Sequence, residues 1–345
     1  DIAAELNDYV EKTKQLTHHN KVVLKGESMG GAVIMTYLKQ YGYDSVDTVI
    51  MQSSAFNGIN LMGGLFTGDI NIKSDSVVNY VGNFIEGNDP VTVLLRCLYK
   101  TFAGFVFGPV CGVLDRVLTN GKDVLYKNCL DDLFGNIPGI WTFVPNEYYE
   151  EAKAYMLDET ENALLIKKLD AYHYGVMDST KAILDNALAH GMKLAIISNY
   201  GKAAVPVLKN DSYQSDFLID PSRTSLGATC ADFGETLGAD YTQKIGDGHN
   251  HISCDNVIDA STCMYPEYTW FVKDMMHTWY TPGYYDFTWW LAQHGSQPTV
   301  NERDDFPQFL YNDQVNKIIV PLTEKNSDTQ NKDIDIKALL DKIIK

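Results

Sequence analysis

The segment 21–40 constrains this chain more than any other. Lys21-Val22-Val23-Leu24 is an apolar, β-branched run, Gly26-Glu27-Ser28-Met29-Gly30 follows it, and residues 32–40 carry helical periodicity. A strand that passes through G-x-S-x-G straight into a helix is the setting of a nucleophile elbow, in which a strained turn lifts the serine hydroxyl above the sheet edge. Ser28 is therefore the candidate nucleophile. Gly26 and Gly30 are expected because side chains there would collide with the turn. The backbone N–H of Met29, at the start of the helix, is the expected donor to a tetrahedral oxyanion.

The flanking segments give this elbow a sheet to sit on. Residues 2–16 repeat apolar positions at helical spacing, and 46–52 form a second β-rich run ending at Ser53-Ser54. Helix, strand, helix, strand implies parallel strands with crossover helices, hence an α/β fold with a mostly parallel sheet. Over 56–190 strand-like runs are scarce and apolar residues cluster helically, as at 91–98 and 152–169, so this stretch is expected to be a helical lid or cap insertion. Its most apolar part, 101–114, is too short to span a bilayer and reads as buried or lid helix. The α/β rhythm resumes at Lys193-Leu194-Ala195-Ile196-Ile197-Ser198, continues through an irregular polar stretch to Gly248, and is expected to close with a last strand over 269–275 and an aromatic helix over 284–293. Core residues 1–55 and 191–321 thus enclose the insertion, and 322–345 reads as a polar linker with a short amphipathic tail over 334–344.

A serine hydroxyl needs a base, and the base needs an orienting acid; on this kind of fold they follow in the order Ser, acid, His. Of His173, His190, His249, His251, His277 and His294, only His277 closely follows a strand-like run, which puts it on the sheet edge that carries the elbow. For the acid, Gly246-Asp247-Gly248 offers a carboxylate with glycines on both sides, modestly ahead by position of Asp220, Asp232, Asp240, Asp255 and Asp259. His249 and His251 beside Asp247 and Asp255 invite a metal reading, but no further ligand stands at a diagnostic spacing, so they are expected to line the rim or make loop hydrogen bonds. No metal and no cofactor are expected. Trp279-Tyr280 and Trp289-Trp290 read as core and rim packing.

Composition narrows the partners. A formal net charge of −17 disfavours the basic surface that nucleic acid or anionic membrane requires. With 345 residues and 45% hydrophobic composition, the chain can bury a substantial core. The six cysteines form no CxxC pair; Cys254 and Cys263 are close enough to close a small loop, and the even count leans toward an exported, extracytoplasmic protein.

Several stretches together carry a resemblance: KVVLKGESMGG at 21–31, Ser198-Asn199-Tyr200-Gly201, Ile245-Gly246-Asp247-Gly248 and the run 259–277. In them the chain resembles the lecithin:cholesterol acyltransferase and lysosomal phospholipase family of α/β hydrolases, above all its bacterial lipase-like relatives. The resemblance implies an α/β-hydrolase fold with a helical lid, raises Asp247 as the acid, and completes a triad Ser28, Asp247, His277. Glu27 departs from it, standing where that family commonly has His, and His249 stands where Thr usually follows GDG. The fold also places strands and a second oxyanion donor before the elbow; their absence ahead of Asp1 predicts a missing N-terminal segment or a companion chain, with a sheet edge left exposed.

The expected activity is hydrolysis of a small-molecule or lipid carboxylic ester through an acyl-enzyme. Leu94, Leu95, Leu98, Phe102, Phe105, Val106 and Phe107 would form an apolar lid offering transient contact with a lipid interface, or else pack the core of the cap itself. Acyl transfer to an alcohol uses the same intermediate and is the first alternative. A non-catalytic binding protein on a hydrolase fold is the second.

Overall fold

The computed structural model describes residues 2–69, 135–205, 208–210, 212–278 and 280–327. The apolar clusters at 91–98 and 101–114, Cys97, Cys111, Cys129, Trp279 and the tail at 334–344 lie outside the described residues. Its strands are β1 Val22–Glu27, β2 Val46–Gln52, β3 Lys193–Tyr200, β4 Lys202–Ala203, β5 Gln214–Ser215, β6 Thr229–Cys230, β7 Ile258–Asp259, β8 Thr269–Lys273, β9 Phe309–Asp313 and β10 Ile318–Pro321. Its helices are α1 Ile2–Thr17, α2 Gly30–Tyr41, α3 Asn60–Phe66, α4 Pro138–Trp141, α5 Asn146–Met156, α6 Ala163–Tyr172, α7 Thr180–Ala189, α8 Pro221–Thr224, α9 Pro282–Gln293 and α10 Glu324–Ser327.

A mostly parallel six-stranded sheet in the order β1-β2-β3-β8-β9-β10 forms the centre of an α/β fold. Within this sheet, among the described residues, only the β9–β10 pair is antiparallel. Alternate residues of each strand sort to opposite faces, as the two-residue side-chain period requires. Val49, Met51, Leu194 and Ile196 pack with α1, α2 and α7, whereas Ile50, Ala195, Ile197, Trp270 and Val272 pack with α9. With both faces covered, the strands read as the continuous apolar runs seen in the sequence. On α9, Tyr284, Phe287 and Leu291 are fully buried at helical spacing. Each such side chain contributes about 1.5–3 kcal/mol by leaving water. Trp290 joins this core while Trp289 stays exposed.

One expectation is corrected here. The strand at 269–275 ends at Lys273 and is not the last: β9 and β10 follow, joined by the polar stretch Gln314-Val315-Asn316-Lys317, whose Lys317 takes a φ of 57°. The helical apolar cluster at 152–169 is divided between α5 and α6, because Asp158 accepts hydrogen bonds from the Thr160 and Glu161 amides and turns the chain between them. A separate aromatic cluster of Phe66, Trp141, Tyr149 and Leu169 ties α3, α4, α5 and α6 together. Cys230, Cys254 and Cys263 are free thiols, so the loop from 254 to 263 is not closed by a disulfide.

Candidate active site

Ser28 occupies the turn between β1 and α2 with φ of 53°, a left-handed conformation that a non-glycine residue adopts at a cost. The end of β2 holds it there. Ser28 N–H donates to the Gln52 carbonyl at 3.3 Å, and the Ser28 carbonyl accepts from the Ala55 amide at 3.0 Å and the Gly31 amide at 3.2 Å. Ser54 Oγ donates to the Gly26 carbonyl at 2.8 Å. A Cβ on Gly26 would lie 2.8 Å from Ile34 Cδ1 and 2.9 Å from the Gly30 carbonyl carbon, and one on Gly31 would lie 2.5 Å from Ser54 Cβ. Gly30 was expected to be equally confined, but a Cβ there meets nothing within 4 Å. The crowding is at Gly26 and Gly31 because these two residues face the sheet and the β2 end. Met29 follows as the N-cap of α2, and among the described residues its N–H has no hydrogen-bond acceptor.

His277 lies four residues beyond β8, and its acid partner is Asp216. His277 Nδ1 is 2.8 Å from Asp216 Oδ2, and the His277 amide donates to the Asp216 carbonyl at 3.0 Å. Asp216 is fully buried; its other oxygen, Oδ1, accepts from the Leu218 and Ile219 amides at 3.0 and 2.8 Å in a tight turn completed by Phe217 at φ of 80°. Burial alone would push His277 down, but the hydrogen bond and charge of Asp216, joined by the charge of Glu27, outweigh it and hold the imidazole above its ordinary value. His277 Nε2 is buried and has no hydrogen-bond partner.

The expectation for Asp247 is corrected. Its glycine-flanked loop turns the carboxylate to a different histidine: Asp247 Oδ2 is 2.9 Å from His251 Nε2, and Asp247 Oδ1 accepts the His249 amide at 2.9 Å. His251 also meets Gln308 Oε1 through Nδ1 at 3.1 Å, so Asp247 and His251 brace the loop against the segment leading into β9. The other flagged carboxylate of this region, Asp255, pairs with Lys273 at 2.8 Å, both nearly buried, and receives the Tyr200 hydroxyl at 3.2 Å. Among the described residues no group of three His, Cys, Asp or Glu is placed to hold a metal ion.

Sheet order alone would keep the elbow and the histidine apart, since β1 and β8 are separated by β2 and β3, roughly 14 Å at the usual strand spacing. The chain after β8 turns back toward β1. Asp274 at φ of 59° donates its amide to the Tyr200 carbonyl at 2.8 Å, turning the chain back across the strand ends. Tyr280 then reaches the face of β1 that carries Lys25 and Glu27. Its hydroxyl donates to the His277 carbonyl, while Lys25 Nζ lies 5.9 Å from its ring centroid. Buried polar groups without partners gather at the same ends of β2 and β3: both amide atoms of Gln52, Ser53 Oγ and both amide atoms of Asn199. Beside Met29, an apolar cavity of about 180 Å³ is lined by Ala3, Ala32, Val33, Trp141 and Leu169.

No family model, curated protein or solved structure matches this chain. The reading of the site therefore rests on its own geometry.

Asp216 is the functional candidate that the sequence reading missed. Its signal was present: Ser215-Asp216-Phe217-Leu218-Ile219 puts one carboxylate at the head of an apolar run inside an otherwise polar stretch.

Proposed function

We propose that this chain is a serine hydrolase of the α/β-hydrolase kind, acting on carboxylic esters through Ser28, His277 and Asp216. The observation that carries the reading is the state of His277: one ring nitrogen is held by a buried carboxylate, the other is buried and unpartnered, and the ring lies within electrostatic reach of Glu27, the neighbour of Ser28. A structural histidine at this burial normally has a polar partner beside each nitrogen, as His173 has in Asn146 and the Trp141 carbonyl. Ser28 Oγ and His277 Nε2 are not hydrogen-bonded to each other, and contacts of this kind commonly tighten as substrate binds.

In the reaction, Ser28 Oγ attacks the ester carbonyl carbon and its proton passes to His277 Nε2, while Asp216 keeps Nδ1–H and stabilises the imidazolium. The Met29 amide donates to the oxyanion, and the departing alcohol takes the proton from Nε2 as the acyl-enzyme forms. Water then attacks the acyl-enzyme with His277 again as base, releasing the acid and restoring Ser28. The apolar cavity beside Met29 supports an acyl group in the substrate.

Labelling with a fluorescent fluorophosphonate tests this. The wild-type chain should label and Ser28→Ala should not. A wild-type chain that stays unlabelled, or a Ser28→Ala variant that labels equally, would overturn the proposal.

A further inference from the structure

A polar cavity of about 440 Å³ lies at the C-terminal ends of β3 and β8, where Tyr200 and Lys273 are paired in register and both line it. Strand ends of this kind are where open α/β sheets bind ligands, and the volume falls within the roughly 300–1,000 Å³ of small-molecule sites. Ser28, Asp216 and His277 do not line it.

The side chains around this cavity have most of their hydrogen-bond donors engaged within the protein. Lys273 Nζ pairs with Asp255 Oδ2 at 2.8 Å and donates to the Ser327 carbonyl at 2.5 Å. The Tyr200 hydroxyl donates to the same Asp255 oxygen at 3.2 Å. Asn256 donates through Nδ2 to the Leu237 carbonyl at 2.8 Å, and Gln214 through Nε2 to the Asp232 carbonyl at 3.1 Å. These two carbonyls also fix which way round the amides sit, since only an NH2 can donate to them. What is left is one lysine hydrogen against several acceptors. Gln214 is 2% exposed, and among the described residues its buried Oε1 has no hydrogen-bond partner. Such an acceptor costs free energy until a donor reaches it. Glu235 and Glu324, both exposed, add two carboxylates that no ion pair neutralises among the described residues, whereas the charges of Asp255 and Lys273 cancel.

We propose that this cavity is a binding site for a small organic cation rich in N–H donors, an amine or a guanidine, whose head donates to Gln214 Oε1 and whose charge is met by Glu235 and Glu324. An anion would face two carboxylates of its own sign, and a neutral alcohol would leave them without a counter-charge. A bare metal ion does not fit, since no group of three His, Cys, Asp or Glu among the described residues is placed to hold one. The buried Lys273–Asp255 pair, tied by Tyr200 and by Ser253 Oγ at 2.5 Å from Asp255 Oδ1, gives the ligand a rigid wall. The site stands apart from the proposed ester chemistry and does not depend on Ser28 being a nucleophile.

The experiment is isothermal titration calorimetry of the full chain with 1,4-diaminobutane at about 0.15 M salt, where long-range attraction to an acidic protein is screened. Beside it run 1,4-butanediol, succinate and the fully N-methylated diamine, which keeps the charges and has no N–H. The diamine should bind at one site per chain, the diol and succinate should not bind, and the methylated dication should bind about tenfold more weakly or worse. Gln214→Leu should weaken diamine binding about tenfold. Glu235→Gln and Glu324→Gln should each weaken it about two- to threefold, whereas Asp8→Asn, the same change of net charge at an exposed position on α1, should leave it unaltered. Because Glu235 and Glu324 are exposed, their exchange leaves the fold in place and decides the question even where Gln214→Leu is unstable. No one-site binding of the diamine, a diol or methylated dication that binds as tightly, or equal losses in Asp8→Asn and the two glutamate variants would overturn the proposal.

Discussion

Asp216→Asn separates the two candidate acids with a magnitude that the turn around Asp216 dictates. Oδ1 accepts two backbone amides, from Leu218 and Ile219, while Oδ2 faces His277 Nδ1. An asparagine at this site must keep its only carbonyl oxygen on the two amide donors, because reversing it would set an NH2 group against both of them. Its NH2 therefore points at Nδ1, which has to accept, and the imidazole proton is forced onto Nε2. That tautomer cannot take the Ser28 proton. The fold survives, since the turn keeps its hydrogen bonds, but reactivity should fall by about 10³–10⁴-fold, the scale seen when a triad histidine is locked in the wrong tautomer. Asp247→Asn removes only the brace to His251 and should stay within about threefold of wild type, as an exposed loop contact does. The assay is the second-order rate constant for fluorophosphonate labelling of each variant at pH 8, beside circular dichroism to verify folding. An Asp216→Asn rate within tenfold of wild type, or a larger loss in Asp247→Asn, would refute the assignment.

Gly26→Ala forces a methyl against Ile34 Cδ1 and the Gly30 backbone at under 3 Å, so it should cost about 1–3 kcal/mol and abolish labelling, whereas Gly30→Ala meets open space and should change the melting temperature little; equal behaviour of the two variants in thermal melts would contradict this. His173, pushed down to about 4 from its ordinary 6.5, mainly by burial, stays neutral in the folded chain while the unfolded chain takes up a proton, so stability should fall by about 3 kcal/mol as the pH drops from 6.5 to 4 and then level off. Urea midpoints across that range should decline more shallowly in His173→Gln, and identical slopes would rule the site out.

What the sequence could convey was local. The elbow is a contiguous strand-turn-helix whose residues constrain one another, and His277 stands a few residues past an apolar run, so both could be read from neighbours along the chain. The sheet was legible for the same reason: buried parallel strands at 46–52 and 193–200 are nearly continuous apolar runs. Asp216 was hidden because its partner lies far away in sequence and the strand before it, β5, is two residues long, too short to show a period. Asp247 stood out through its flanking glycines, but glycine freedom determines how a loop can bend and leaves open which histidine the carboxylate will meet. The hairpin of β9 and β10 carried a usable signal, two β-rich runs around four turn residues, masked by the polar composition on either side. The crowding at Gly31 in place of Gly30 was beyond reach, since it depends on Ser54 from the next strand.

The path of the chain after β8, which turns back toward β1, also sets when the proposed site can exist. The turn that holds Ser28 is made of neighbours near the start of the chain and can form early, whereas His277 and Asp216, its proposed base and acid, belong to segments synthesised much later and are brought in only when β3 and β8 have joined the sheet. Long-range pairings of this kind are the slow part of folding. With Ser28 as the proposed nucleophile, a nascent or truncated chain would hold it with nothing to activate it, and its labelling would double as a gauge of whether the whole sheet has been assembled.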